Sequence, residues 1–337
     1  MKSHSSSEFV ASMVNALLPL ADVACLIEGG SSLALAGTAK ALAQLPKGNW
    51  IGGTTPYFMT EKGGQLVSDD LVFVSDLSSL GDLTVRTYGE EELERISAEV
   101  PDSGFGMVII PAESNCHSRF ALEAPFFPQT FLKPVVGWIA GFDLTKGGPA
   151  LVYDGTTGTA HEERAVVAHI SWHDGKLAIP MIVNPFHAGD GEVINFSKPG
   201  FVQDTCVIDG VEIDFAGYLR EMDLEQGELP LVGDYSGARV NVSIQQIDAE
   251  GRVCLFAPVF PGVDYRFAAP IGDYTESLRS GIAEADAATA FWSCNCILNY
   301  LFGELEGRVV GGIAGPITFG EIAYQLLNQT YVTVKTI

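Results

Sequence analysis

Two stretches of the chain are nearly identical. VVGWIAG at 135–141 and VVGGIAG at 309–315 agree at six of seven positions and start 174 residues apart, close to half of the 337-residue length. In each, a β-branched apolar pair runs into glycine, which lets a backbone or a ligand approach more closely than a Cβ would permit. WIGGTT at 50–55 carries a weaker form of the same pattern. The recurrence predicts two related halves, residues 1–160 and 161–337. It also predicts comparable strand ends at Gly52, Gly137 and Gly311.

The elements between these stretches are mostly strands. LVFVSDL, LTVRTY, GMVIIPAE, RAVVAHISW, RVNVSIQQID and RVCLFAPVF are β-rich. ALVYDG and RAVVAHISW read as a hairpin across GTTGTAHEE, and Asp209-Gly210 and Glu250-Gly251 are hairpin turns. RVVGGIAG at 308–315 reads as a strand. Helices are expected at the N-terminus, where Ser5 and Glu8 have capping-box spacing ahead of Phe9, Met13 and Leu17. Others are expected over 32–45, 90–100, 118–124, 275–287 and 295–305. Strands do not alternate regularly with helices, so the fold class is α+β: antiparallel sheets packed together with helices outside.

Charge excludes several functions. Lys and Arg number 19 against 42 Asp and Glu, a net −23, yet only 18% of residues are charged. No Lys/Arg-rich window exists to displace counterions from a phosphate backbone, so neither nucleic acid nor an anionic membrane surface is an expected partner. No apolar run reaches membrane-spanning length, and MKSHSSSEF is not a secretory signal. A reducing cytoplasm is the expected location, with the six cysteines as free thiols. Cys294 and Cys296 are too close for a redox or zinc motif, and His169 and His173 lie about 13 Å apart if on one strand. No metal and no cofactor is expected.

The C-terminal region is the most specific. AFWSCNC at 290–296 and GGIAGPITFGEIAYQLLNQTYVTV at 311–334 resemble the end of the FIST domain, a sensory module of bacterial signalling proteins and some eukaryotic F-box proteins. Ser293-Cys294, Gly315, Gly320-Glu321-Ile322 and Asn328-Gln329-Thr330 stand where that family has its Ser-Cys strand end, its Gly-Glu-Ile turn and its closing Asn-x-Thr strand. Gly52-Gly53-Thr54-Thr55 resembles the family's early glycine loop, although Tyr57, Phe58 and Met59 replace its glycine-containing continuation. Val135-Val136-Gly137 resembles a later strand. An arginine commonly follows the Ser-Cys pair in that family; here Cys296, Ile297 and Leu298 occupy the place, leaving Arg220, Arg239 or Arg266 as substitutes.

The resemblance implies a sensory protein that binds a small, amino-acid-like metabolite between its halves and signals through a separate protein partner. Candidate ligand-binding residues are Gly52, Gly53, Thr54, Gly137, Trp138, Cys294, Asn295, Gly311, Gly312, Gly315, Gly320, Glu321 and Asn328. Glycine-turn amides would grip a carboxylate, and Glu321 or Asp273 an amine. Two alternatives stand beside it. One is a thiol- or hydroxyl-dependent hydrolase in which Cys294, at a helix N-terminus, is a nucleophile served by a base such as His117. The other is a non-catalytic scaffold subunit. No catalytic residue is assigned.

Overall fold

A computed structural model describes residues 15–172, 175–235, 238–284 and 290–337. The fold is α+β, with 43% strand and 18% helix.

The strand Gly104–Pro111 is buried along its whole length because its apolar residues face two cores. Val108 and Ile110 point into one cluster, Met107 and Ile109 into another. An unbroken apolar run suits a strand covered on both faces. It lies at the centre of a six-stranded sheet ordered Gln325–Leu327, Glu321–Ala323, Val135–Ala140, Gly104–Pro111, Ala165–Trp172, Gly81–Tyr88. Only Gly104–Pro111 and Val135–Ala140 pair in parallel there.

On one side, Ile109, Trp138 and Ala168 pack against Ala34, Ile51 and Phe73 of a second six-stranded sheet. That sheet contains Leu33–Gly37 beside Trp50–Thr54, again parallel. Its outer face carries the helices Leu20–Glu28 and Ala39–Leu42 over Leu33, Leu35, Trp50 and Val74. On the other side, Val108, Ile139 and Val167 meet Ile194, Cys206, Phe215 and Leu231 of a C-terminal sheet and helix. A further sheet joins Ala178–Val183, Tyr331–Thr336, Trp292–Cys296 and Gly315–Thr318 to Tyr57–Thr60 and Gly63–Leu66. Three strands, Gly200–Gln203, Val253–Val259 and Ile244–Ile247, complete the set.

Several elements differ from the sequence expectation. The N-terminal helix falls largely on residues outside those described. Its last part, Asn15–Pro19, is a strand paired with Leu71–Asp76, and the helix begins at Leu20. Residues 33–37 form a strand because both faces are buried, which erases the alternation that marks a strand; only Ala39–Leu42 is helical in that stretch. Val152–Asp154 turns back onto Thr159–His161, while Ala165–Trp172 belongs to the central sheet. The hairpins at Asp209-Gly210 and Glu250-Gly251 form as expected.

The two copies of the repeat are not equivalent. Val135–Ala140 is a buried strand. In the second copy only Gly315 is in a strand, because Gly311 and Gly312 have φ of 91° and 74° and turn the chain. Two sheets take strands from both sides of residue 160: Glu321–Ala323 pairs with Val135–Ala140, and Gly315–Thr318 with Tyr57–Thr60.

Candidate functional site

The parallel strands Gly104–Pro111 and Val135–Ala140 end side by side, and the chain departs from them through Ala112 and Gly141. In open sheets such strand ends are where crevices form. Here Glu113 takes φ 62°, unusual for a residue with a side chain, and re-aims the chain into the helix Asn115–Glu123. Ser114 caps that helix: its Oγ accepts from His117 N at 3.0 Å and donates to Pro111 O at 2.7 Å. This fixes His117 in the first turn. Its Nδ1 accepts from Glu113 N at 3.4 Å, so the ring proton sits on Nε2. Burial pushes its pKa down to about 4, leaving the ring neutral at neutral pH.

His117 lines a cavity of about 460 Å³. The ring stands edge-on to Phe201, with centroids 6.0 Å apart. Phe142 and Phe319, in contact at 5.0 Å, form another wall. Leu255 and Phe256 of the strand Val253–Val259 contribute a third, and Ile297, Leu298 and Leu301 of the helix Ile297–Phe302 a fourth. The walls come from both sides of residue 160. A largely apolar lining with a few polar groups is usual for a small-molecule site.

Two of those polar groups are unsatisfied. His117 Nε2 is buried without a partner, and so is one polar atom of the Asn328 side-chain amide. Buried polar atoms are normally bonded, so each such exception needs an explanation. Asn328 contacts Ser243 Oγ at 2.7 Å, and Ser243 also contacts Gln329 Oε1. One hydroxyl proton cannot serve both oxygens. Gln329 Nε2 donates to Glu228 O at 3.3 Å, which holds Gln329 Oε1 toward Ser243 and gives it the proton. Asn328 then donates from Nδ2 to Ser243, and its Oδ1 is the amide atom left without a partner.

A polar chain runs from Asn328 into the core. Gln329 reaches Tyr274 OH at 3.3 Å, and Tyr274 donates to Asn299 Oδ1 at 2.7 Å. Asn299 Nδ2 donates to Asn295 Oδ1 at 2.8 Å and Thr330 O at 2.9 Å. Thr330 Oγ1 donates to Glu321 Oε2 at 2.7 Å. Desolvation raises the Glu321 carboxyl to about 8, although bonds from Thr330 and Cys296 oppose that rise. Its Oε1 has no partner.

Two smaller spaces adjoin the cavity at Phe142. One, of about 180 Å³, is lined by Glu113, Glu162 and Glu163. The other, of about 380 Å³, is lined by Thr38, Thr54, Asp143 and Lys146.

Of the residues expected from the sequence, Asn328 lines the main cavity and Thr54 the 380 Å³ space. Thr54 Oγ1 donates to Gly141 O at 2.7 Å and accepts from Leu151 N. The others do not line these spaces. Gly52 and Gly53 lie inside a buried strand, where a Cβ on Gly53 would sit 2.5 Å from Ile109. Gly137 and Trp138 are mid-strand, and Trp138 stacks on Trp292 at 5.9 Å. Cys294, Asn295 and Glu321 are enclosed in the interior. Gly311 and Gly312 turn a loop, Gly315 abuts Ser293, and Gly320 packs on Leu326 and Ile139.

Cys294 is not at a helix start. It lies inside the strand Trp292–Cys296, and Cys296 precedes the helix. Burial holds the Cys294 thiol well above its ordinary pKa. Arg239 contacts His187, and Arg266 the carbonyl of Gly191. Neither they nor Arg220 line the cavity. His169 bonds Tyr88 OH at 2.7 Å on its strand, and His173 lies outside the described residues. Among the described residues, no three His, Cys, Asp or Glu gather as a metal site, and no helix is long and apolar enough to cross a membrane.

The walls that sequence reasoning missed, Phe142, Phe201, Phe256 and Leu301, read as ordinary core. The available signal was PAESNCH, a strand end with a Ser cap and a histidine on the first helical turn.

These features define an α+β protein of stacked sheets with an apolar, sparsely polar cavity at the ends of its parallel strands. Residues 18–337 match DUF6976, a family of unknown function, and the chain belongs to that family. Among curated proteins none matches it.

Proposed function

We propose that this is a small-molecule-binding protein of sensory type, working in the cytoplasm through a separate protein partner. The single observation that carries the reading is the 460 Å³ cavity lined by His117 and Asn328, each of which has a buried polar atom without a partner. A ligand that bonds those atoms relieves a desolvation penalty of about 1–3 kcal/mol for each. The resemblance of the C-terminal region to a sensory module supports the same class, with a metabolite of amino-acid size as ligand. Asn328 belongs both to the motif that carries the resemblance and to the cavity wall.

The test is thermal denaturation of the full chain against a broad metabolite panel, repeated with Leu301→Trp, which places an indole at the cavity rim where Leu301 is 45% exposed. A true ligand raises the melting temperature of the wild type and much less that of the variant. A panel without stabilisation, or one that stabilises both proteins equally, contradicts the proposal. Exposed Phe126, Phe131 and Leu132 favour an interaction-subunit role as a second reading. Light scattering that finds only monomer would weigh against self-association through that segment.

A further inference from the structure

The cavity's polar groups specify more than its size. His117 presents a donor, because its Nδ1 is occupied by Glu113 N and its Nε2 carries the proton. Asn328 presents an acceptor, because Ser243 and Gln329 fix its other atom inward. The only side chain with a full charge among the lining residues is Glu113, a carboxylate, and no Lys or Arg is present. A carboxylate ligand would therefore lose its hydration, find only neutral donors (His117, Ser118 and Gln245) and face a like charge, and burying an uncompensated charge is strongly unfavourable. The rim is apolar: Leu144, Val202 and Leu301 are all more than 40% exposed and all line this cavity. Large apolar side chains left open to water around a cavity fit an occupant whose tail covers them.

We infer that the cavity takes a neutral amphiphile, an apolar chain ending in a head that both accepts from His117 and donates to Asn328, such as a primary amide. The inference rests on the binding function proposed above and narrows the ligand class within it. A primary amide accepts through its carbonyl and donates through its nitrogen, so both unpartnered wall atoms are satisfied without a charge entering the cavity.

The experiment is calorimetric titration of the full-length protein near neutral pH with four eight-carbon probes: octanamide, octanoate, octylamine and methyl octanoate. Octanamide should bind most tightly. Methyl octanoate, which accepts but cannot donate, should bind about tenfold more weakly, and octanoate more weakly still. Octanoate should improve as the pH falls to about 5, where more of it is the neutral acid. His117→Phe keeps the ring's packing on Phe201 and should weaken octanamide about tenfold, while circular dichroism confirms the fold. Octanoate binding as well as octanamide would overturn the inference, as would octylamine binding best through Glu113. If all four fail while the metabolite panel yields a ligand blocked by Leu301→Trp, the neutral-amphiphile class is wrong and the binding function stands. If both sets fail, the binding function falls as well.

Discussion

Glu321 is a carboxyl with no cation near it, buried where only Thr330 and Cys296 bond it. Its pKa rises from 4.5 to about 8, so the folded state holds a proton that the unfolded chain has released. That contribution to stability is full below pH 4.5 and lost as pH rises through 8. His117 and His169 act the other way: burial drops both from 6.5 to about 4. Their contribution is full above 6.5 and lost as pH falls through 4. Between 4.5 and 6.5 the two histidines outweigh the single carboxyl, and above 6.5 the carboxyl acts alone. Urea unfolding across pH should thus show greatest stability near pH 6.5 and a decline toward pH 8. Glu321→Gln should remove that decline, which amounts to about 2 kcal/mol between pH 6.5 and pH 8. An unchanged slope would mean that Glu321 is ionised in the fold.

Residue by residue, the sequence was informative where its C-terminal motif resembles the sensory module. Glu321 and Asn328 stood out as polar positions of that motif, and both are buried and incompletely bonded. Which of them meets open space depends on non-local packing. Asn328 lines the cavity together with Phe142, Phe256 and Leu298, which come from three distant segments.

At the level of elements, the glycine of VVGWIAG has a structural cause. Gly137 has φ 153°, and a Cβ there would lie 1.7 Å from Val108 O across the parallel pair. Gly137→Ala should cost more than about 3 kcal/mol or prevent folding. Gly272→Ala, with open space around it, should stay within about 0.5 kcal/mol. Thermal unfolding of the two variants makes the comparison; equal stability would contradict the close approach. Strands bounded by turn residues were legible: Asp209-Gly210 closes Thr205–Ile208 onto Val211–Asp214 as its sequence predicts. Leu33–Gly37 was not, because burial on both faces removes the periodicity that separates a strand from a helix. The second VVGGIAG kept the letters of a strand but not the conformation. Tyr331 OH donates to Ile313 O and accepts from Ile313 N there, an arrangement set by a strand distant in sequence.

Across the whole molecule, the chain crosses residue 160 repeatedly. Ala165–Trp172 fills a central place between Gly81–Tyr88 and Gly104–Pro111, and Glu321–Ala323 extends the same sheet from the far end of the sequence. Fragments 1–160 and 161–337 made separately should each lack cooperative unfolding in circular dichroism, since each exposes strand edges and half of the shared cores. A cooperative transition in either fragment alone would show that the halves are self-sufficient. The same interleaving places the cavity where both parts of the chain supply its walls. The net charge of −23 is a property of the surface; only Glu113 among the lining residues carries a full charge.

Cys254 lines the cavity and is partly exposed, whereas Cys25 lies on the surface far along the chain in the helix Leu20–Glu28. Alkylation rates of the two thiols, followed by peptide mass mapping with and without any compound that stabilises the protein, locate the ligand directly. A saturating ligand in the cavity should slow modification of Cys254 at least about tenfold, in line with the fraction of sites occupied, and leave Cys25 unchanged. An unaltered Cys254 rate at saturation would place the ligand elsewhere and contradict the assignment of this cavity as the functional site.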